Sequence, residues 1–452
     1  MNCLNFSFTF IISIKYKLEI SFLIKQIVYK NFYLSTENIS EDKTVKPDPY
    51  AALRFWEFRN FTVARLCITI ASQIQAVIVG WQVYEITKDP LSLGLIGLAE
   101  AIPSISVLLF AGHITDTNDR KKIVLSSVFL MTFCSLLLLL ISTDSVSLFT
   151  SNKVIAIYSA IFLSGIGRGF SAPSFFAFVS QLVPKETLPN AITWNTTTWQ
   201  TGAVTGPAIG GLLYGFIGPV NTYITIVIFW IISIILISPI RKKPIPEILG
   251  IQSLKERLTV GLKFVFERKI ILGAISLDLF AVLFGGAVAL LPIFAGEILF
   301  VGPQGLGALR AAPSIGAVIM AVYMTRHPFT KNAGRNLLVS IFGFGICIII
   351  FGLSRDFFLS LFILALSGGF DSVSVVIRAT IIQLMTPDNM KGRVSAVNSI
   401  FIGSSNEIGG FESGVAAKLL GTVPSVIFGG VMTLLIVSFV TIFSPKMRKL
   451  RL

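Results

Sequence analysis

The chain has 452 residues, 54% hydrophobic and only 13% charged, about half the charged share of a soluble domain. So little polar surface excludes a water-facing globule, and a mean hydropathy of +0.80 indicates an integral membrane protein. The net charge of +14 does not mark a nucleic-acid partner, because Lys and Arg stand in short connections between apolar runs and no basic face is interleaved with aromatics.

In chain order, residues 1–53 form an N-terminal extension. It mixes apolar patches with Lys15, Lys17, Lys25 and Lys30, turns polar over 35–48, and shows no secretory cleavage pattern. Apolar runs of about 20 residues or more, the length of a bilayer crossing, then lie near 60–84, 92–113, 122–142, 154–180, 191–215 and 219–239. Pro239, Pro244 and Pro246 end the sixth run, since proline lacks the amide proton a continuing helix needs. In the linker at 240–268, Leu254, Leu258, Leu262 and Val265 recur at helical spacing against Lys255, Arg257, Lys263 and Arg268, which predicts an amphipathic helix on the membrane surface. Further runs lie near 270–297, 304–325, 335–354, 357–384, 393–417 and 424–443, and a basic tail occupies 444–452.

Alternate connections carry Arg120–Lys122, Lys185, Arg241–Lys243, Arg326 with Arg335, and Lys391 with Arg393, whereas the others carry only Lys88, Lys153, Arg355 and Lys418. Positive charge is retained on the cytoplasmic side, so both termini are expected there. The reading is an all-α membrane protein with twelve transmembrane helices in two six-helix bundles, 54–239 and 269–443. One constant offset carries Asn195 onto Asn398, Gly206 onto Gly409, Gly211 onto Gly414 and Arg168 onto Asp371, which suggests that the halves are duplicated around a midplane site.

Cys3, Cys67, Cys134 and Cys347 are far apart, and His113 and His327 are the only histidines, so no metal or cofactor site is expected. No nucleophile–base pair is present, and an enzyme is not expected. Gly165-Ile-Gly167-Arg-Gly169 has the spacing of a phosphate loop but falls inside an apolar span rather than after a strand.

Ionisable residues inside spans are costly and mark function by default. Glu100, Arg168, Asp278, Arg310, Asp371 and Glu407 are the candidates for proton and substrate handling, with Glu412 beside them. A buried carboxyl can hold a proton near neutral pH, which suits Glu100, Asp278 and Asp371 to proton transfer. The same acids serve equally as fixed ion pairs between helices. Glu407, close before Gly409-Gly410, suits packing or gating. Trp194, Asn195, Trp199 and Gln200 stand ready to line a cavity or to sit at the lipid interface.

Between the second and third runs stands Gly112-His-Ile-Thr-Asp116-Thr-Asn-Asp-Arg120-Lys121-Lys122, which resembles the loop signature of the major facilitator superfamily. Gly112 is read as permitting a tight helix exit, and Asp116 as latching to Arg120 or to a helix N-terminus. Thr117 and Asp119 depart from the usual pattern. The fifth run carries Gly202-x-x-x-Gly206-Pro207-x-x-Gly210-Gly211, similar to the signature of antiporters in that superfamily; the same spacing also suits simple small-residue packing. Residues 83–87, 99–103, 307–313 and 387–394 resemble the branch holding bacterial enterobactin-type siderophore exporters and proton-driven drug efflux proteins. The resemblance implies a major facilitator fold in the bacterial inner membrane, exporting siderophore or drug-like small molecules by proton antiport. Protons, a small-molecule substrate and the lipid bilayer are the partners expected, with the carrier a monomer. Proton-coupled uptake, or a membrane scaffold or sensor that transports nothing, remains the alternative, because fold does not fix direction.

Overall fold

The computed structural model describes residues 48–143, 152–244, 254–327, 332–387 and 390–450. The N-terminal extension up to residue 47, the linker residues 245–253 and loop residues Asp388 and Asn389 lie outside them. Contacts divide the chain at Ala51. In the first unit, residues 48–51 make a turn in which the Tyr50 amide donates to Asp48 Oδ1 at 3.0 Å.

The second unit is helical, with no strand among its described residues. Helices α1 (Trp56–Thr87), α2 (Pro90–Thr117), α3 (Arg120–Ser142), α4 (Lys153–Leu182) and α5 (Leu188–Ile237) precede α6 (Leu254–Glu267). Then come α7 (Lys269–Phe284), α8 (Gly302–Arg326), α9 (Ala333–Leu353), α10 (Phe357–Met385), α11 (Lys391–Leu420) and α12 (Thr422–Phe443). Among the described residues ten helical segments are long and apolar enough to cross a membrane. Phe110, Phe176, Phe216, Ile235, Phe362 and Ile442 are all exposed on the outside, where a water-soluble fold would keep polar groups and a bilayer accepts apolar ones.

Two of the expected runs are not counted separately, each for a physical reason. Helix α5 spans two runs, and its backbone turns sharply between them at Gly218 (φ 75°, ψ 176°), immediately before Pro219. Helix α11 carries Asn398, Ser404, Ser405, Asn406 and Glu407 along its middle, which lowers its hydropathy. The run expected at 270–297 is also interrupted: α7 stops at Phe284, Gly285-Gly286 break it, and short helical pieces continue to Ile298.

Gly112 does not end α2, which corrects the sequence reading. The helix runs through it to Thr117, and Asp119 caps the next helix by accepting from the Lys121 amide at 3.0 Å. A carboxylate at that cap satisfies an orphan amide and faces the positive end of the helix dipole, which suits an acid to this position. Arg120 donates from Nη1 to the Ala177 carbonyl at 2.8 Å. The side chain of Asp116 is not among those described.

Packing follows the sequence order in two sets. Helix α1 lies against α5, α2 against α4, and α3 against both α4 and α5. In the second set α8 packs on α10, α9 on α10 and α12, and α11 on α7. Two seams join the sets, α2 with α11 and α5 with α8.

The glycines of α5 serve different faces. A Cβ on Gly202, Gly206 or Gly210 would meet Thr69, Gln73 or Ile74 of α1, whereas one on Gly211 would lie 2.7 Å from the Cα of Gly307 on α8. The offset seen in the sequence reappears here: Gly409 meets Leu283 of α7 as Gly206 meets α1, and Gly414 meets Gly94 across one seam as Gly211 meets Gly307 across the other.

Candidate functional site

Where α2, α4, α8, α10 and α11 converge, they enclose a cavity of about 410 Å³. Five of the six ionisable candidates line it: Glu100, Arg168, Arg310, Asp371 and Glu407. The remaining wall is mostly apolar, with Val79, Met131, Trp230, Phe344 and Ile348. A chamber of this size with a few convergent polar groups in an apolar lining is the form that small-molecule sites take.

Close packing places the charges. A Cβ on Gly165 would sit 2.6 Å from the Glu100 carbonyl oxygen and 2.7 Å from the Pro103 ring, so α4 and α2 touch there. Arg168, one turn further along α4, therefore reaches Glu100 with Nη1 to Oε1 at 2.9 Å. The same Nη1 stands 3.4 Å from Glu407 Oε1 on α11. A Cβ on Gly97 would lie 3.0 Å from the Glu407 carbonyl oxygen, which is why α11 comes close enough to α2 for this second contact. One guanidinium thus joins a carboxylate of its own helix set to one of the other.

Arg310 and Asp371 face the cavity from neighbouring helices. The α8–α10 contact is antiparallel, with Gly316 against Ala365 and Gly368 against Pro313, so the two residues stand at one level. Among the described residues neither forms an ion pair within 4 Å. Arginine keeps its charge in any protein environment, whereas a carboxylate can discharge itself by taking a proton.

Asp278 is placed elsewhere. It pairs with Arg378 of α10, both side chains almost fully buried at 5% and 4% exposure, and neither lines the cavity. The amide and aromatic group of α5 is also absent from the lining: Trp199 is exposed, and Trp194, Asn195 and Gln200 do not contribute.

Sequence reasoning missed Gln75, Trp230 and Asn406 as lining residues. Gln75 Oε1 accepts from Ser135 Oγ at 2.6 Å on the cavity wall. The polar middle of α11 was the available signal for Asn406; nothing marked Trp230 among the aromatic residues of its run. Among the described residues no group of His, Cys, Asp and Glu is placed to hold a metal.

Away from the cavity, the two sets meet again near one end. Lys418 Nζ lies 2.7 Å from Asp89 Oδ1. Tyr84 donates to Glu297 Oε1 at 3.0 Å.

Two helix sets closing on a charged, apolar-walled cavity, in a molecule whose outer face is greasy, define a membrane carrier of the major facilitator fold. The chain belongs to the transmembrane secretion effector family, whose model matches residues 47–450. It is 24% identical to the enterobactin exporter EntS of Shigella flexneri over 394 residues, covering 87% of this chain and 93% of that protein. The EntS of Escherichia coli O1:K1 / APEC matches at the same identity and coverage. Among solved structures, a D-xylose-proton symporter superposes with a TM-score of 0.68 at 12% identity, covering 88% of this chain and 100% of that chain. A bacterial homologue of the iron transporter ferroportin, in its inward-facing state, superposes with a TM-score of 0.62 at 16% identity, covering 85% and 99%. These structures establish the fold alone.

Proposed function

We propose that the chain exports small organic molecules of the siderophore or drug-like kind across the bacterial inner membrane in exchange for protons. The observation that carries this reading is the cavity between the two helix sets, with three carboxylates and two guanidiniums on an otherwise apolar wall. A scaffold has no use for charges at that depth, where each one is costly. Asp371, without an ion-pair partner among the described residues, is the proton carrier in this reading, and Glu100, Arg168 and Glu407 link proton and cargo to the helix seams. Relatives named as exporters support the direction.

In this proposal both arms of α5 cross the bilayer, as does α11, giving twelve crossings in two six-helix halves with both termini in the cytoplasm. Residues 240–268 bridge the halves on that side, and the carrier works as a monomer. Access alternates as the halves rock about the cavity.

Inside-out vesicles with an acidified lumen provide the test. Adding an exported compound should drain the pH gradient, read by an acridine dye, and Asp371→Asn should abolish the drain while leaving insertion intact. Accumulation that is unchanged by an uncoupler would overturn proton exchange; equal accumulation with and without the protein, for every compound in a broad panel, would overturn export.

A further inference from the structure

Helices α2 and α11 run antiparallel along a seam with three kinds of contact in order. At the rim, Lys418 pairs with Asp89 at 2.7 Å, and Lys418 is 55% exposed. Below it Gly94 and Gly414 abut, where a Cβ on Gly414 would lie 2.7 Å from the Gly94 Cα. At the cavity, about three turns down, Glu407 meets Arg168 of the adjoining α4 at 3.4 Å.

The glycine contact depends on no proton and no ligand, so control of the seam falls to its ion pairs. The rim pair is solvated and held by charges that stay on. Burial works to raise the Asp89 carboxyl, but the hydrogen bond and charge of Lys418 outweigh it and hold the group below its ordinary range. The pair at the cavity, Arg168 at 41% and Glu407 at 28% exposure, stands instead in a chamber whose wall is mostly apolar, and less polar surroundings make one charge count for more. It also has a spare partner built in: Arg168 is 2.9 Å from Glu100 on its own side of the seam. Neutralising Glu407 therefore severs the contact across the seam without stranding the guanidinium.

We propose that Glu407 is the positioning residue through which the cavity controls the seam: its pair with Arg168 of α4, which is itself paired with Glu100 of α2, holds α11 against α2 and α4, and a proton on Glu407 lets α11 part from them. The inference rests on the proton-exchange reading above, to which it adds the site of coupling. The charged groups facing Glu407 are Glu100 on α2, Arg168 on α4, Arg310 on α8 and Asp371 on α10. On α7, Asp278 is engaged by Arg378, and α12 has no charged residue. On α11 itself, Glu412 and Lys418 lie further along.

Nitroxide labels on Asp89→Cys and Lys418→Cys in the full chain, reconstituted in nanodiscs, report the seam by dipolar broadening. The substitutions remove the rim pair and so leave the Arg168–Glu407 contact in control. Cys67, Cys134 and Cys347 are buried, and the chain without the two added cysteines serves as the labelling blank. Broadening should be strong at about pH 8 and weaken towards about pH 5.5, as a proton on Glu407 releases the contact. Glu407→Gln should remove the broadening at every pH, and Glu407→Asp should restore both signal and pH profile. A Gln variant as broadened as its parent, or a parent profile flat with pH, would overturn the proposal. The readout does not require transport: a seam that answers pH in vesicles that move no protons would defeat the proposed function and not the seam assignment.

Discussion

Asp278 and Asp371 are both acids within apolar spans, and the sequence alone gives them equal standing. Their surroundings separate them. Asp278 is locked to Arg378 in a region with almost no solvent, while Asp371 opens on a cavity and has no ion-pair partner among the described residues. Breaking a buried pair by removing one partner leaves the other charge uncompensated, a loss of about 3–5 kcal/mol, whereas replacing both partners with apolar groups is close to neutral. Asp278→Asn should therefore lower the melting temperature of the purified carrier markedly, and adding Arg378→Met should recover most of it. Asp371→Asn should leave melting nearly unchanged and act on proton exchange instead. A melting profile for Asp278→Asn that matches the parent would return that residue to the list of proton carriers.

At the scale of elements, α5 shows that glycines in one helix are needed for unrelated reasons. Gly211 faces α8, where an added Cβ would come within 2.5 Å of the Pro303 carbonyl oxygen, a backbone atom that cannot swing away. Gly218 has nothing within 4 Å of its would-be Cβ, but its φ of +75° is one that side chains resist. Gly211→Ala should force α5 and α8 apart; overpacking of this kind costs about 1–3 kcal/mol, enough to displace a balanced two-state carrier about tenfold. Gly218→Ala should cost about 1–3 kcal/mol through backbone strain and lower stability with little change in the balance of states. Comparing melting temperature with the initial transport rate for each variant separates the two effects, and equal ratios in both would contradict the distinction. These cases also show what the sequence can disclose. The Gly-Pro-x-x-Gly-Gly core was legible as a packing motif, because small residues four apart can do little else in a membrane helix. Which neighbour each glycine meets was not, since that depends on how α5 is rotated between α1 and α8. The end of α2 was misread for a related reason: glycine permits a helix to stop but does not compel it, and the stop came where Asp119 offered a cap for α3.

The whole molecule is organised by its two seams, and their closest contacts gather towards one end. Gly94 with Gly414, Gly211 with Gly307, Tyr84 with Glu297 and Asp89 with Lys418 all lie towards the ends of their helices opposite Arg120–Lys122. The alternation of Lys and Arg gives the sidedness of the connections as an expectation, because charges left outside the bilayer are biased towards one face. The convergence of five ionisable residues on one cavity was not readable, because Glu100 and Glu407 come together only when α2 and α11 cross at their glycines. Sidedness and seam closure together define one state: if the Arg120 end is cytoplasmic, the cavity is sealed from the outside and reached from within. Asn406 lines the cavity and is itself exposed, which makes it a reporter of access. Asn406→Cys should react with a membrane-impermeant maleimide in inside-out vesicles and resist it in intact cells, with a rate difference of at least about tenfold if the sealed state dominates. Adding Gly414→Leu should abolish that protection, because a branched side chain against Gly94 prevents the seam from closing. Fast labelling of Asn406→Cys from the outside of intact cells would place the closed end on the cytoplasmic face and reverse the assignment of the two ends.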